Sequence, residues 1–213
     1  MRKSRKLGLQ IKYLIDKLIA LVGLAITSPI FLIVGSILKF QGEDIFFYQK
    51  RAGYLGEEFE VVKFTTMPKG SEKLGLITTT NDPRPTKLGK FLRKTKINEL
   101  PQLLNVLKGD MSIIGPRPII KSQLLESLTE EEIRQYYQMR PGITGLASLH
   151  FHHEDKLLAK AENPRQYFNT VLMPQKKDLE IQYAQEWNLF YDLRILYLTM
   201  RSLLWEAVKI SNK

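Results

Sequence analysis

The 213-residue chain has no cysteine. That single absence excludes a disulfide scaffold, a thiolate-bound zinc site and thiol catalysis. Histidine is almost as scarce: His150, His152 and His153 are the whole supply, confined to one short stretch. Beside Glu154 and Asp155 they invite a metal reading. Strand alternation would put only His150 and His152 on one face, however, and a closed shell needs ligands from elsewhere, so a polar loop is the simpler reading. Acid is short too, with 22 Asp plus Glu facing 32 Lys plus Arg for a formal net charge of +10. Half of that excess (Arg2, Lys3, Arg5, Lys6 and Lys12) precedes the first acid of the chain, so the imbalance is in part a basic tail. Internal repeats and low-complexity tracts are lacking, and 44% hydrophobic with 25% charged residues is a globular balance.

One long apolar run is present. Leu18–Leu38 carries no charge over 21 residues; as an unbroken helix it reaches roughly 30 Å, the depth of a bilayer core, and it is too long for the apolar part of a cleaved signal peptide. Ser28-Pro29 interrupts it near the middle. Pro29 cannot donate to the Ala25 carbonyl and kinks the helix, while the Ser28 hydroxyl is placed to bond back to the Leu24 carbonyl. Cations flank both ends, Arg5, Lys6, Lys12 and Lys17 before, Lys39, Lys50 and Arg51 after, whereas a spanning helix concentrates them on one side. Two placements fit: a kinked spanning helix, and a re-entrant one that bends at Ser28-Pro29 and returns to its own face. The expected organisation is residues 1–40 as basic N-terminus and membrane segment, and 41–213 as one domain with ample core.

Within that domain, Ile45–Tyr48 and Phe59–Phe64 read as strands turned by Gly53 and Gly56. Residues 68–85 read as loop, and a short basic helix fits Lys87–Lys94. A helix over Glu99–Lys108 is expected with Asn98 as N-cap and Gly109 as terminator. Thr129 and Glu132 form a capping-box pattern opening a helix to about Gln138, and Pro164 and Pro174 each sit where a helix opens. From Leu189 through Leu193, Leu196, Met200, Leu203, Ala207 and Ile210 runs an apolar stripe; a core helix and an interfacial helix with Arg201 and Trp205 at headgroup level both fit it. The class is therefore α/β, helix-rich with a small sheet.

The densest constellation is Arg93–Pro118, RKTKINELPQLLNVLKGDMSIIGPRP. It gathers Arg93, Lys94, Lys96, Lys108 and Arg117 with Glu99, Asp110 and a Gly-Pro-Arg-Pro turn. Such a set suits a diphosphate: arginine forks match phosphate oxygens, and a carboxylate holds a divalent cation. The segment resembles the signature of the bacterial sugar transferases, the monotopic phosphoglycosyl transferases. Matches fall at Thr86, Gly89, Leu92, Arg93, Glu99 through Leu103, Asn105 through Leu107, Gly109 through Ser112 and Gly115 through Pro118. They extend to Ser28-Pro29, Lys63-Phe64, Asp82-Pro83-Arg84, Arg140 through Gly145 and Asp192, covering nearly the whole chain.

The resemblance implies a re-entrant membrane helix broken at Ser-Pro under an α/β domain on the cytoplasmic face of the bacterial inner membrane. It implies transfer of a phosphosugar from a UDP-sugar to polyprenol phosphate with release of UMP, and dependence on Mg²⁺. In the family's Asp-Glu dyad the Asp is the covalent nucleophile. Here that position is Asn98, whose neutral amide is a poor nucleophile and offers a metal only its carbonyl oxygen. Three readings stay open: an inactivating change, chemistry taken over by Glu99, and a scaffold without turnover. Glu99 and Asn98 are thus the candidate catalytic and metal-binding pair, and Lys63, Arg93, Arg117 and Arg140 the candidate phosphate ligands. Thr65 stands where the family often has Arg. Membrane lipid and a second copy of the chain complete the candidate partners. No specific nucleic acid is expected. The charge permits one, but the basic tail beside the apolar run suits anionic headgroups equally, and no nucleic-acid motif stands out.

Overall fold

The computed structural model describes residues 3–71 and 82–211. Helix α1 (Lys3–Phe40) leads into the hairpin β1 (Phe46–Ala52) and β2 (Glu58–Phe64), then α2 (Lys87–Lys94), α3 (Gln102–Lys108) and β3 (Ser112–Ile114). Helices α4 (Lys121–Leu124) and α5 (Glu130–Tyr136), strand β4 (Gly142–Thr144), and helices α6 (Leu146–His150), α7 (Glu154–Lys160), α8 (Pro164–Tyr167), α9 (Met173–Glu186) and α10 (Leu189–Ser211) follow. The helix-rich α/β reading therefore holds, with two two-stranded sheets.

The hairpin is longer than expected, because β1 runs on to Ala52 to pair with all of β2 from Phe46↔Phe64 to Ala52↔Glu58. Gly53 and Gly56 do close it, Gly56 at φ +82. Helix α2 matches the expected span, with Thr86 accepting from the Gly89 N–H as its cap. The Thr129–Glu132 capping box is formed, but α5 ends at Tyr136. Pro164 and Pro174 open α8 and α9 as expected, joined by a π-turn at Phe168–Leu172. Part of the 68–85 loop, and the side chains of Leu203, Trp205, Ala207 and Ile210, lie outside what is described.

Asn98 requires a correction: it caps no helix. Pro101 lacks an N–H and fits only the entry of a helix, so α3 starts at Gln102. Asn98 sits instead in a separate 3₁₀ turn, Ile97–Glu99, entered through Lys96 at φ +60. Gly109 does terminate α3, in the left-handed region at φ +98. Strands β3 and β4 pair in parallel, Ser112↔Gly142 and Ile114↔Thr144. The backbones meet so closely there that a Cβ on Gly115 or Gly142 would lie 2.3 Å or 2.1 Å from the opposing chain.

Helix α1 continues through Pro29. The Ser28 hydroxyl donates to Ala25 O at 2.8 Å, the acceptor that Pro29 leaves open, rather than to Leu24. Leu9, Lys12, Asp16, Ala20, Gly23, Thr27, Phe31, Val34 and Leu38 recur every three or four residues along one covered face. The other face exposes Leu14, Leu18, Leu21, Val22, Ile26, Leu32 and Ile33. The first half packs with Leu103, Val106, Met111 and Tyr183 in the main core, the second half with Phe64 and Leu92. A polar clasp fixes the first half: Lys12 Nζ lies 2.7 Å from Asp192 and 3.5 Å from Asp16, Ser112 donates to Asp16, and Tyr183 and Trp187 donate to Asp192. Burial of these charges is tolerated because every one is paired. By length and composition α1 is the one helix among the described residues that could cross a membrane.

Candidate active site

Strand β2 presents Lys63 near its end, the 3₁₀ turn presents Glu99, and the turn after β3 presents Arg117. The three converge. Arg117 Nη2 donates to Glu99 Oε1 at 2.8 Å, and Lys63 Nζ lies 3.5 Å from the same oxygen. Burial pushes the Glu99 carboxyl up, but Arg117, Lys63 and Lys96 outweigh it and hold the group well below the usual carboxylate range. Burial pulls the Lys63 ammonium down to about 7; Glu99 opposes the shift, while Arg51, Arg117 and Arg93 add to it. Arg117 is raised by Glu99. Glu99 is thus a permanent anion of low basicity, suited to electrostatic and ligand roles and poorly suited to accepting a proton.

Asn98, adjoining, is 8% exposed, and its Oδ1 has no hydrogen-bond partner. A buried unpaired acceptor costs free energy unless a ligand or ion completes it. Arg93, in the last turn of α2, donates from Nε to Thr66 Oγ1 at 2.9 Å and adds its charge to the field at Lys63. Gly89 makes that position possible: a Cβ there would lie 2.0 Å from the Thr66 carbonyl oxygen.

The candidate phosphate ligand Arg140 is not part of this cluster. Its guanidinium lies over the Tyr13 ring of α1, 4.1 Å from the centroid. His150 ends α6, and His152 and His153 lie ring on ring at 3.9 Å.

Three further residues bear on the site. Arg51 donates to Pro118 O at 2.6 Å and is lowered to about 10 by burial and by Arg117; as a sequence position it read only as a flanking cation. Tyr137 donates from its hydroxyl to Arg117 O at 2.9 Å and accepts from Ile119 N–H at 3.0 Å. Glu180, fully buried on α9, faces the backbone N–H groups of Arg117 and Ala147 and is raised to about 7 by burial. Arg51 and Tyr137 therefore hold the Pro-Arg-Pro turn through its backbone, while neither Glu180 carboxylate oxygen has a hydrogen-bond partner. The alternation of β1, which sets Gln49 and Arg51 on one face, was the only sequence signal for any of them.

A turn that aims one arginine at a buried carboxylate, amid three more cations, is an arrangement that suits phosphate-bearing ligands. Residues 7–206 match the model of the family described as bacterial sugar transferase. The chain belongs to that family, whose members are phosphosugar-transferring enzymes. It is 37% identical over 195 residues to "Uncharacterized sugar transferase EpsL" of Bacillus subtilis, covering 91% of this chain and 87% of that one. It is 34% identical to "Exopolysaccharide production protein ExoY" of Rhizobium meliloti, covering 92% and 86%. With "UDP-glucose:undecaprenyl-phosphate glucose-1-phosphate transferase" of Caulobacter vibrioides it shares 35% identity over 91% of this chain and 69% of that protein.

Proposed function

We propose that this chain moves a phosphosugar from a UDP-sugar to polyprenol phosphate, giving polyprenol diphosphosugar and UMP, an early membrane step of surface glycan assembly. The carrying observation is charge imbalance at one point: Lys63, Arg117, Arg51 and Arg93 crowd a single carboxylate, Glu99. A diphosphate neutralises that excess as no neutral ligand would. The names of relatives supply UDP-glucose and undecaprenyl phosphate as the nearest chemistry. In the overall exchange an oxygen of the acceptor phosphate becomes bonded to the sugar-bearing phosphorus, the bond from that phosphorus to the bridging oxygen breaks, and UMP leaves.

Asn98 Oδ1 and Glu99 would hold Mg²⁺, an ion that takes few protein oxygens. When bound, the ion offsets phosphate charge. Arg117, fixed by Tyr137 and Glu99, orients the diphosphate, and Lys63 and Arg93 hold its oxygens.

The neutral Asn98 supports a second element of the reading. With no attacking carboxylate at 98, and with Glu99 engaged by Arg117 and Lys63, the site binds substrate well and turns it over slowly. The covered face of α1 supports its re-entrant placement at the cytoplasmic face of the inner membrane. A helix crossing to the far side would carry one half away from the domain, whereas both halves of α1 pack on it. UMP release from a panel of UDP-sugars with Mg²⁺ and undecaprenyl phosphate tests the proposal. Release that requires the acceptor supports it; UDP-sugar binding that no cation substitution at Lys63, Arg93 or Arg117 weakens contradicts it.

A further inference from the structure

Arg140 and Lys17 form a pair that the transferase site does not use. Tyr13 and Lys17 stand one helical turn apart on α1 and so share a face. Tyr13 accepts the Arg140 backbone N–H at 3.3 Å and carries its guanidinium over the ring. Both charged groups then converge on the C-cap of α3: Arg140 Nη1 lies 3.6 Å, and Lys17 Nζ 3.7 Å, from the point where a Cβ on Gly109 would sit. The two cations thus flank one point, a placement that an anion between them would favour. Yet among the described residues neither charged group has a hydrogen-bond or ion-pair partner. Of the two acids next to the pair in sequence, Asp16 is engaged by Lys12 and Ser112, and Asp110 lies 3.3 Å from the exposed Lys108 with its Oδ2 making no hydrogen bond. The guanidinium, set over an aromatic face, keeps its N–H donors for a ligand.

Position decides what that anion is. The pair lies at the seam where the covered face of α1 gives way to exposed Leu14, Leu18 and Leu21, the face that the re-entrant reading puts in lipid. It is also separated from Glu99 by the length of α3, seven residues or about 10 Å. We propose that Lys17 and Arg140, above Gly109, form a second phosphate site that holds the phosphate of a lipid, with the lipid's chains along the apolar face of α1. The site rests on the membrane placement proposed above and does not depend on turnover.

The test is lipid retention by the full chain in non-ionic detergent, read by native mass spectrometry. Phosphatidylglycerol and undecaprenyl phosphate are titrated separately, with undecaprenol as the phosphate-free control. At the contribution of one surface cation toward an anionic lipid, Lys17→Gln weakens retention about fivefold and Lys17→Gln with Arg140→Gln roughly 25-fold, undecaprenol being unaffected. Loss confined to phosphatidylglycerol assigns a phospholipid headgroup, and loss confined to undecaprenyl phosphate assigns a waiting site for the acceptor. Undiminished binding of both lipids by the double variant overturns the proposal. Should that variant fail to fold, Lys17→Gln alone decides, since among the described residues the Lys17 ammonium has no hydrogen-bond or ion-pair partner. Failure of the transferase reading shows separately, as UDP-sugar binding that no substitution at Lys63, Arg93 or Arg117 weakens, with lipid retention intact.

Discussion

Arg117 and Glu99, 18 residues apart in sequence, meet at 2.8 Å with Glu99 Oε1 shared by Lys63. This pairing makes Glu99 a fixed anion and Arg117 a fixed cation, and it leaves Lys63 beside them, and Glu180 behind the turn, as groups whose charge changes near neutrality.

Substrate affinity should therefore depend on pH through Lys63. Its folded value, about 7, lies below the ordinary 10.5, so the ammonium is charged below pH 7 and lost as pH rises through it. UDP binding, followed by calorimetry between pH 6 and 9, should weaken across that step, and Lys63→Arg should flatten it. Stability moves the opposite way: between pH 7 and 10.5 the unfolded chain binds the extra proton, so this group makes folding more favourable as pH rises. A UDP affinity that is level from pH 6 to 9 in the parent would remove Lys63 from the site.

Tyr137→Phe deletes the hydroxyl that bridges Arg117 O and Ile119 N–H. Loss of the two bonds should cost about 1–3 kcal/mol of stability. It should also loosen the turn, weakening UDP binding while leaving the far-UV circular dichroism spectrum unchanged. Unaltered melting temperature and unaltered affinity would show that the clamp does not position Arg117.

Gly89→Ala places a methyl group 2.0 Å from the Thr66 carbonyl oxygen, a backbone atom that yields only if α2 shifts. Destabilisation of at least about 2 kcal/mol is expected, and Arg93 moves with the helix. A chemical denaturation midpoint equal to that of the parent would mean that α2 and the 64–66 segment are not packed as described.

Topology is open to direct labelling. Single cysteines at Ser4 and Glu43 should both resist an impermeant thiol reagent in intact cells. Replacing Ser28 and Pro29 by Ala and Leu restores the helical hydrogen bond to Ala25 O and should favour the spanning form, exposing one of them. Labelling of one site in the otherwise unaltered chain would establish a spanning helix.

Local signals were well read in the sequence. The Thr86 cap, the Thr129–Glu132 box, Gly109 and the two helix-opening prolines act within a few residues and appear where expected. Asn98 was misplaced because Pro101 restarts the chain, a competition that an N-cap preference by itself does not weigh. The β3–β4 pair is too short for any periodicity, and its signal is the close approach of Gly115 and Gly142. The motif named Glu99 and Arg117, and Lys63 joined them. Tyr137, Arg51 and Glu180 act across tertiary contacts invisible to spacing, and Arg140 was drawn to α1 by Tyr13, a residue outside every motif.

The central claim is that Asn98 sits in an otherwise intact phosphosugar-transfer site and limits its chemistry. Asn98→Asp changes almost no volume, and the 3₁₀ turn that carries it does not depend on its side chain for a cap. The most direct measurement is UMP release by the parent and by Asn98→Asp, with the same UDP-sugar, Mg²⁺ and undecaprenyl phosphate, alongside their melting temperatures. A rise in turnover of at least about 100-fold, with melting temperature nearly unchanged and activity abolished again by Glu99→Gln, is the predicted result. Rapid UMP release by the parent that Asn98→Asp does not increase would contradict it.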